Sequence, residues 1–459
     1  MTIRQSIPLF FVFLCITASA PGADGDVDFS RDILPLLSDN CFKCHGPDEA
    51  NRKARLRFDK HDASLEKLKK GRAIIVPGKS SQSELFARLT AEDPDDRMPP
   101  PDTGKKLSKQ EIELIRKWLD GGAEWAGHWA FQPPKAQQVP APAKGWRSNN
   151  PVDHFIHASL ARAGLTPQER ASKETLIRRV TLDLTGLPPT IREVDDFLAD
   201  KSEKAYENVV RRLLDSPRYG EHMARFWLDA ARYGDTHGLH LDNERSIWPY
   251  RDWVIQAFNQ NMPFDQFTID QIEGDMLPNS TQDQHVATGF HRNTMVNEEG
   301  GIDPLEFRIY AMVDRVATTG TVWLGLTALC AQCHSHKYDP IPQVEYYQMM
   351  AFFNSTAESS MDGNRYEYGP TVKAPPDVSA WTQLEGLEGA LAKAKDEAEK
   401  QALAKKLEEL KKRFTSTLVA RDLPKPRETK LLARGEYTLP KGDPLQPGVF
   451  AVMGTLPKP

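Results

Sequence analysis

Two cysteines three apart, with a histidine directly after the second, occur twice in this chain: Cys41-Phe42-Lys43-Cys44-His45 and Cys330-Ala331-Gln332-Cys333-His334. With five Cys and twelve His in 459 residues, one such pentad arises by chance roughly 0.001 times per chain. The spacing is that of a c-type haem anchor, in which both sulfurs bond the porphyrin vinyl groups and the histidine supplies an iron nitrogen. Cys41, Cys44, His45 and Cys330, Cys333, His334 are therefore the candidate residues for one haem c and a second. The competing chemistries are zinc and disulfides. A zinc ribbon sets its CxxC knuckles about 15 to 20 residues apart, whereas these pentads are far apart and each carries its own histidine. Disulfides leave the repeated histidine unexplained. The pentads use every cysteine except Cys15.

Cys15 falls in residues 1–23, which read as a secretory signal: Arg4, then the apolar Leu9 to Ile16, then Ala18-Ser19-Ala20. The apolar run is too short to span a bilayer, and no other stretch is longer. The mature chain is thus expected to lack a transmembrane segment and to be exported, to the periplasm or the cell surface. A formal net charge of −5, with acidic and basic residues well mixed, gives no basic face for nucleic acid.

The length allows two or three domains. Phe29, Ile33, Leu36 and Leu37 recur at helical spacing up to Cys41, with Pro35 placed in a first turn or at a kink. Ser108-Lys109-Gln110-Glu111 is a capping box ahead of Ile112, Ile115 and Leu119, and Gly121-Gly122 stops that helix. Two helices bracketing a haem describe a small cytochrome c-like domain over 27–130. Between them lies Arg97-Met98-Pro99-Pro100-Pro101. A second axial ligand must approach the haem face opposite His45 from a stiff separate loop, and Met98 suits this role better than His61 in its charged surroundings.

A Pro/Ala-rich linker follows at 131–150, then a larger, mostly helical domain over 151–356, with helical periodicity in Val152 to Ala163, Lys173 to Leu184 and Ala205 to Leu214. His222, Trp227, His237, His240, Trp248 and Trp253 crowd the next stretch. A helical run from Leu305 to Leu329 is expected to deliver the second pentad, and the polar Ser335 to Pro340 to meet haem propionates. For the far side of that haem the nearest suppliers are His291 and Met295, with His222, His237 and His240 behind them; His336 is tethered too close to His334. Glu298-Glu299 reads as a solvated loop. Residues 381–414 read as a coiled-coil-like helix or hairpin, from Leu384, Leu387 and Leu391 and then Leu403, Leu407, Leu410 and Phe414. The expected fold class is mainly α.

Asp28-Phe29-Ser30-Arg31-Asp32-Ile33, Cys41 to Pro47, Arg97-Met98-Pro99-Pro100 and Trp118-Leu119-Asp120-Gly121-Gly122-Ala123 together resemble the planctomycete-type cytochrome c domain. Asp183-Leu184-Thr185-Gly186-Leu187-Pro188-Pro189, Tyr250-Arg251-Asp252-Trp253-Val254, Asp314-Arg315-Val316 and Leu324 to Pro340 resemble the domain that accompanies it. Residues 418–459, through Pro424 to Thr429 and Arg434-Gly435, resemble the start of a third domain, which makes a fragment of a longer protein the expectation. The resemblance implies secreted haem proteins of electron transfer, with Cys41, Cys44, His45 and Met98 as the first site, and a companion of undefined activity.

Three functions follow as expectations. The first is an exported electron-transfer protein serving an unknown redox partner protein. The second is a peroxidase-like haem enzyme, with an open iron position beside His291 and Arg292 if His291 does not ligate. The third is a surface module whose tryptophans hold a carbohydrate or partner around a structural haem.

Overall fold

The structure is a computed structural model that describes residues 27–48, 51–65, 73–126, 129–134, 136–141, 150–359, 368–454 and 456. The expected signal, 1–23, lies outside the described residues, as does part of the linker. The fold is mainly α, with two small two-stranded antiparallel sheets. The chain divides into two compact units, Met1–Gln132 and Pro133–Pro459.

In the first unit, Asp28 caps a wide helical turn, Phe29–Ile33, by accepting the Arg31 amide, and helix Leu34–Asn40 continues from it. Pro35 sits in the first turn, where its missing amide would have had no helical partner. The helix breaks at Cys41 and resumes as one turn, Phe42–His45. The capping box forms as expected: Ser108 Oγ accepts from the Glu111 amide at 3.2 Å, and the Glu111 carboxylate accepts from the Ser108 amide at 2.6 Å, opening helix Lys109–Asp120. Ile33, Leu37, Ile115, Trp118 and Leu119 from these elements share one core with Ile75, Leu85 and Leu89.

In the second unit the expected helices appear as Pro151–Arg162, Lys173–Thr185 and Ala205–Leu214. Helices Pro217–Ala230 and Trp248–Asn259 lie close enough that a Cβ on Gly220 would meet the Ile255 carbonyl at 2.4 Å. Only glycine permits that approach. The main core gathers Tyr250, Trp253, Phe267, Phe290 and Trp381. Strand Thr371–Ala374 pairs antiparallel with Thr415–Leu418, and between them helices Val378–Lys393 and Glu397–Lys411 form a hairpin closed by Leu384, Leu407, Leu410 and Phe414. A second pair, Thr429–Leu432 with Pro440–Leu445, follows. No described helix is long and apolar enough to cross a membrane.

Trp381 Nε1 donates to Asp283 Oδ2 at 3.0 Å. Burial pushes that carboxyl up to about 6, against the Trp381 hydrogen bond and aided by Glu385 and Glu388. Between pH about 4 and about 6 the folded chain therefore holds a proton that the unfolded chain releases, so stability falls as pH rises through that window. We expect Asp283→Asn to flatten this slope in urea melts at pH 4.5 and 7.5. It should also stabilise the protein at neutral pH by roughly 1 to 3 kcal/mol; an unchanged slope contradicts the assignment. In the first unit, Leu119 is fully buried. Its replacement by Ala should cost roughly 2 to 5 kcal/mol in the same measurement.

Candidate haem sites

The first pentad is built on a single helical turn. The Cys41 amide donates to the Leu37 carbonyl at 2.8 Å, and the Cys41 carbonyl accepts from Cys44 at 3.1 Å and from His45 at 2.8 Å. Residues three apart on such a turn face the same side, which places both thiols together. The following segment folds back over it. Lys53 N–H donates to the Cys44 carbonyl, Phe58 N–H donates to the His45 carbonyl, and Arg52 holds the Gly46 and Pro47 carbonyls at 3.0 and 2.8 Å.

The His45 ring lies edge-on to Phe58 at 5.9 Å, with Nδ1 3.3 Å from the Lys53 carbonyl. A carbonyl only accepts, so this contact places the proton on Nδ1 and leaves Nε2 with a free lone pair, the usual arrangement of an iron-bound histidine. Burial holds the imidazole below its ordinary pKa, with the Lys53 bond pulling the other way. That direction favours the neutral ring, the form in which histidine ligates a metal. Burial, reinforced by Cys44, pushes the Cys41 thiol up to about 12. That direction is wrong for a thiolate nucleophile or a thiolate metal ligand, and it does not oppose a thioether.

Met98 is half-buried in the same unit, and its amide donates to the Arg88 carbonyl at 3.0 Å. Arg88 also pairs with Glu84 and Asp96, each at 2.9 Å, tying the methionine loop to helix Glu84–Leu89. Beside it, the Arg97 Nε atom is enclosed without a hydrogen-bond partner. A buried guanidinium nitrogen calls for an acceptor, and a haem propionate supplies one. The free Nε2 of His45, the paired thiols and this orphaned donor all fit a haem. His61, the other distal candidate, is exposed, 5.9 Å from the Trp125 ring. Among the described residues no three His, Cys, Asp or Glu side chains form a metal-ion cage.

The second pentad folds differently. The helix expected to deliver it spans Pro304–Leu324 and ends at Gly325 in a left-handed conformation. The cysteines then fall on a tighter turn, Ala328–Gln332, and just beyond it. Cys330 and Cys333 are exposed. His334 Nδ1 lies 2.7 Å from the Ser335 carbonyl, which again leaves Nε2 free. Gly435, from the C-terminal segment, packs over Cys333 so closely that a Cβ there would meet Sγ at 2.9 Å. Gln343 and Tyr347 both donate to the Gln332 carbonyl at 2.8 Å, bracing the turn from below.

Several expectations about this unit need correction. His291 lies on no open loop: it belongs to a buried turn, Thr288–Asn293, with Nε2 3.2 Å from the Ile272 carbonyl and the ring against Phe290 and Phe353. Burial, with Arg315 nearby, drops its pKa to about 3. Nε2 already serves the backbone, and Nδ1 is buried with no hydrogen-bond partner. Met295 is exposed and rests on Gly238. His336 is buried, and its Nδ1 accepts the Tyr338 and Asp339 amides at 3.2 and 2.8 Å, which makes it the keystone of its own turn rather than a propionate contact. Glu298 is fully buried, not solvated, and accepts hydrogen bonds from Asn243 and Tyr368. Trp227 and Trp253 serve the core, the former donating to Gln271 at 2.8 Å and the latter stacking on Phe267 at 5.4 Å. No signal in the sequence marked Glu298 or Glu358 as buried acids, because exposure of a loop is a tertiary property.

The family model described as Planctomycete cytochrome C matches residues 41–102, and that described as Protein of unknown function (DUF1549) matches residues 151–358. The chain thus carries a planctomycete-type cytochrome c domain followed by its companion domain. No curated protein and no solved structure matches it. A cytochrome c domain implies haem c, and Cys41 and Cys44 lie within the matched residues.

Thiol reactivity separates the two pentads. In protein made without haem attachment, the exposed Cys330 and Cys333 should react with a maleimide at pH 8 at least tenfold faster than Cys41, which is half-buried and whose thiol is held protonated. Mass mapping of the labelled peptides reads this directly. Equal rates at Cys41 and Cys330 would contradict the burial.

Proposed function

We propose that this chain, a cytochrome c domain joined to its companion, is an exported electron-transfer protein with one haem c on Cys41 and Cys44 and axial ligands His45 and Met98. The observation that supports it most is the His45 ring, fixed by the Lys53 carbonyl with Nε2 turned free. The bound haem would supply the one-electron couple, and Met/His ligation favours the reduced iron. The chain's own part is to hold that couple in place and dry. The Lys53 carbonyl fixes the tautomer and plane of His45, and Phe58 limits rotation of the ring. The core of Ile33, Leu37, Ile115 and Leu119 keeps water from the helices that carry the thiols. Arg88 anchors the methionine loop, and Arg97 offers a buried donor to a propionate. Held by His45 and Met98 together, the iron would offer no position to a substrate, which favours electron transfer over catalysis.

Export to the periplasm or cell surface belongs to the same reading, because haem attachment of this type takes place outside the cytoplasm and residues 1–23 have the pattern of a signal. A second haem on Cys330, Cys333 and His334 is a further part of the proposal; its support is the pentad and the free Nε2 of His334. His291 is not included as its ligand, given the Ile272 bond. The partner is a redox protein able to approach the haem edge.

The purified exported protein should stain for haem on a denaturing gel and give a low-spin c-type spectrum. Met98→Ala should remove the sulfur-to-iron charge-transfer band and lower the potential by on the order of 0.1 V, within the ~0.8 V that axial ligands span. An unchanged band places the ligand elsewhere, and zinc in place of haem overturns the proposal.

A further inference from the structure

Buried charges in proteins are paired or held by dense hydrogen bonding, because an isolated ion loses its hydration. One cleft in the second unit departs from that rule. Its lining includes four guanidinium groups, those of Arg292, Arg308, Arg315 and Arg427, and a single carboxylate, Glu358. Arg292 is 6% and Arg315 3% exposed. Arg315 pairs with Glu358 and donates to the His291 carbonyl at 3.1 Å and to Thr356 Oγ1 at 2.9 Å. Arg292 donates to the Pro370 and Val419 carbonyls at 3.1 and 2.8 Å, and Arg427 to those of Asn354 and Thr356 at 2.8 and 2.9 Å. Carbonyls satisfy donors without cancelling charge. The Nε atom of Arg308 lacks even that: it is buried with no hydrogen-bond partner.

The charges register one another. Burial holds Arg292 down at about 10, with Glu358 pulling it up and Arg315 and Arg245 pressing it further down. Burial and repulsion from Arg427 likewise lower Arg308. Outside the lining, Asp314 accepts from Thr294 but is already paired with Arg232, and Asp422 is pushed up to about 6 by burial and by Asp275 and Glu358. The cleft thus has an excess of positive charge in a low-dielectric wall, the setting in which a small anion gains most.

Glu358 narrows the choice of anion. Against the burial that would raise it, Arg315 and Arg292 hold its carboxyl down at about 2. It is ionised at neutral pH and acts only as an acceptor. Its Oε2 atom is buried with no hydrogen-bond partner. A ligand that satisfies both the guanidinium excess and this acceptor must carry negative charge and an O–H together. The free space is about 20 Å³, enough for one or two water-sized groups. An edge of a small tetrahedral ion fills it, and a nucleotide or sugar does not.

We propose that the cleft between Arg292, Arg308, Arg315, Arg427 and Glu358 binds inorganic phosphate in its hydrogen-bearing form. At the edge that enters, the guanidinium groups hold an ionised oxygen, and the phosphate hydroxyl donates to Glu358. The bound ion would tie helix Pro304–Leu324, which carries Arg308 and Arg315, to the segment carrying Arg427. Sulfate matches phosphate in shape and charge but has no proton to donate near neutral pH, so it leaves Glu358 unsatisfied and binds more weakly.

The test is isothermal titration of the full exported chain with sodium phosphate, sodium sulfate and sodium chloride at pH 7.5 and matched ionic strength, alongside thermal melts in the same salts. Phosphate should bind at least tenfold more tightly than sulfate and raise the melting temperature above that in chloride. Arg308→Gln, a change at a half-buried residue, should weaken phosphate at least tenfold while the melt in chloride stays near that of the parent. Glu358→Gln, where it folds, should reduce the preference for phosphate over sulfate. Equal binding of phosphate and sulfate, binding unaffected by Arg308→Gln, or water alone in the cleft with no titratable phosphate site would each overturn the proposal.

Discussion

An irregular stretch of backbone at the centre of a helical protein has carbonyls that no helix or sheet satisfies, and water cannot reach them. Residues 291–294 are in that position, and guanidinium groups solve it. Arg245 donates to the carbonyls of Gly234, Arg292, Asn293 and Thr294, and Arg315 to that of His291. Arg292 in turn reaches two carbonyls of the segments that flank the helical hairpin. Hydrogen bonds from a charged donor are worth about 1.5 to 3 kcal/mol each, roughly twice a neutral pair. Packing of the surrounding helices depends on this irregular centre being satisfied, since Phe290 and Tyr250 close over it, with Gly289 so near that a Cβ there would meet Tyr250 Cβ at 2.7 Å.

The two CxxCH pentads show how little spacing alone decides. The same five-residue pattern takes one α turn at Cys41 and a tighter turn at Cys330, because what precedes each differs. Before Cys41 the helix Leu34–Asn40 passes its hydrogen bonding on, through the Leu37 carbonyl to the Cys41 amide. Before Cys330, Gly325 has already ended the long helix. In the first case the following loop supplies an acceptor for the histidine from eight residues away; in the second the acceptor is the adjacent residue. A ligand oriented by a separate segment is held more firmly than one oriented by its own neighbour.

Much of the local architecture was legible in the sequence. The capping box at Ser108, the stop at Gly121-Gly122, and the leucine pattern of the hairpin are short-range signals, and the structure contains all three. The Pro35 position followed from the same kind of reasoning. Burial of loops was not legible. Glu298, His291 and His336 look like solvent-facing polar residues by composition, and each is enclosed by segments distant in the chain or by a turn of its own. The aromatic residues near Trp227 were read as one group, and they do cluster, but inward, because Gln271 and Tyr250 supply the polar partners that allow an indole to be buried.

The helical hairpin leaves the body of its unit between two strands whose pairing runs from Thr371 opposite Leu418 to Ala374 opposite Thr415. That ladder clamps both ends of the excursion, and the Ser246 carbonyl takes a further bond from Leu418. The tip, between Ala394 and Asp396, carries no buried side chain. Turns of helix can therefore be added or removed there in matched pairs without disturbing the ladder, because the cost of a longer loop grows only as its logarithm. The hairpin is an arm of adjustable reach on a fixed mount, the part of the molecule freest to diverge in length while the rest keeps its form.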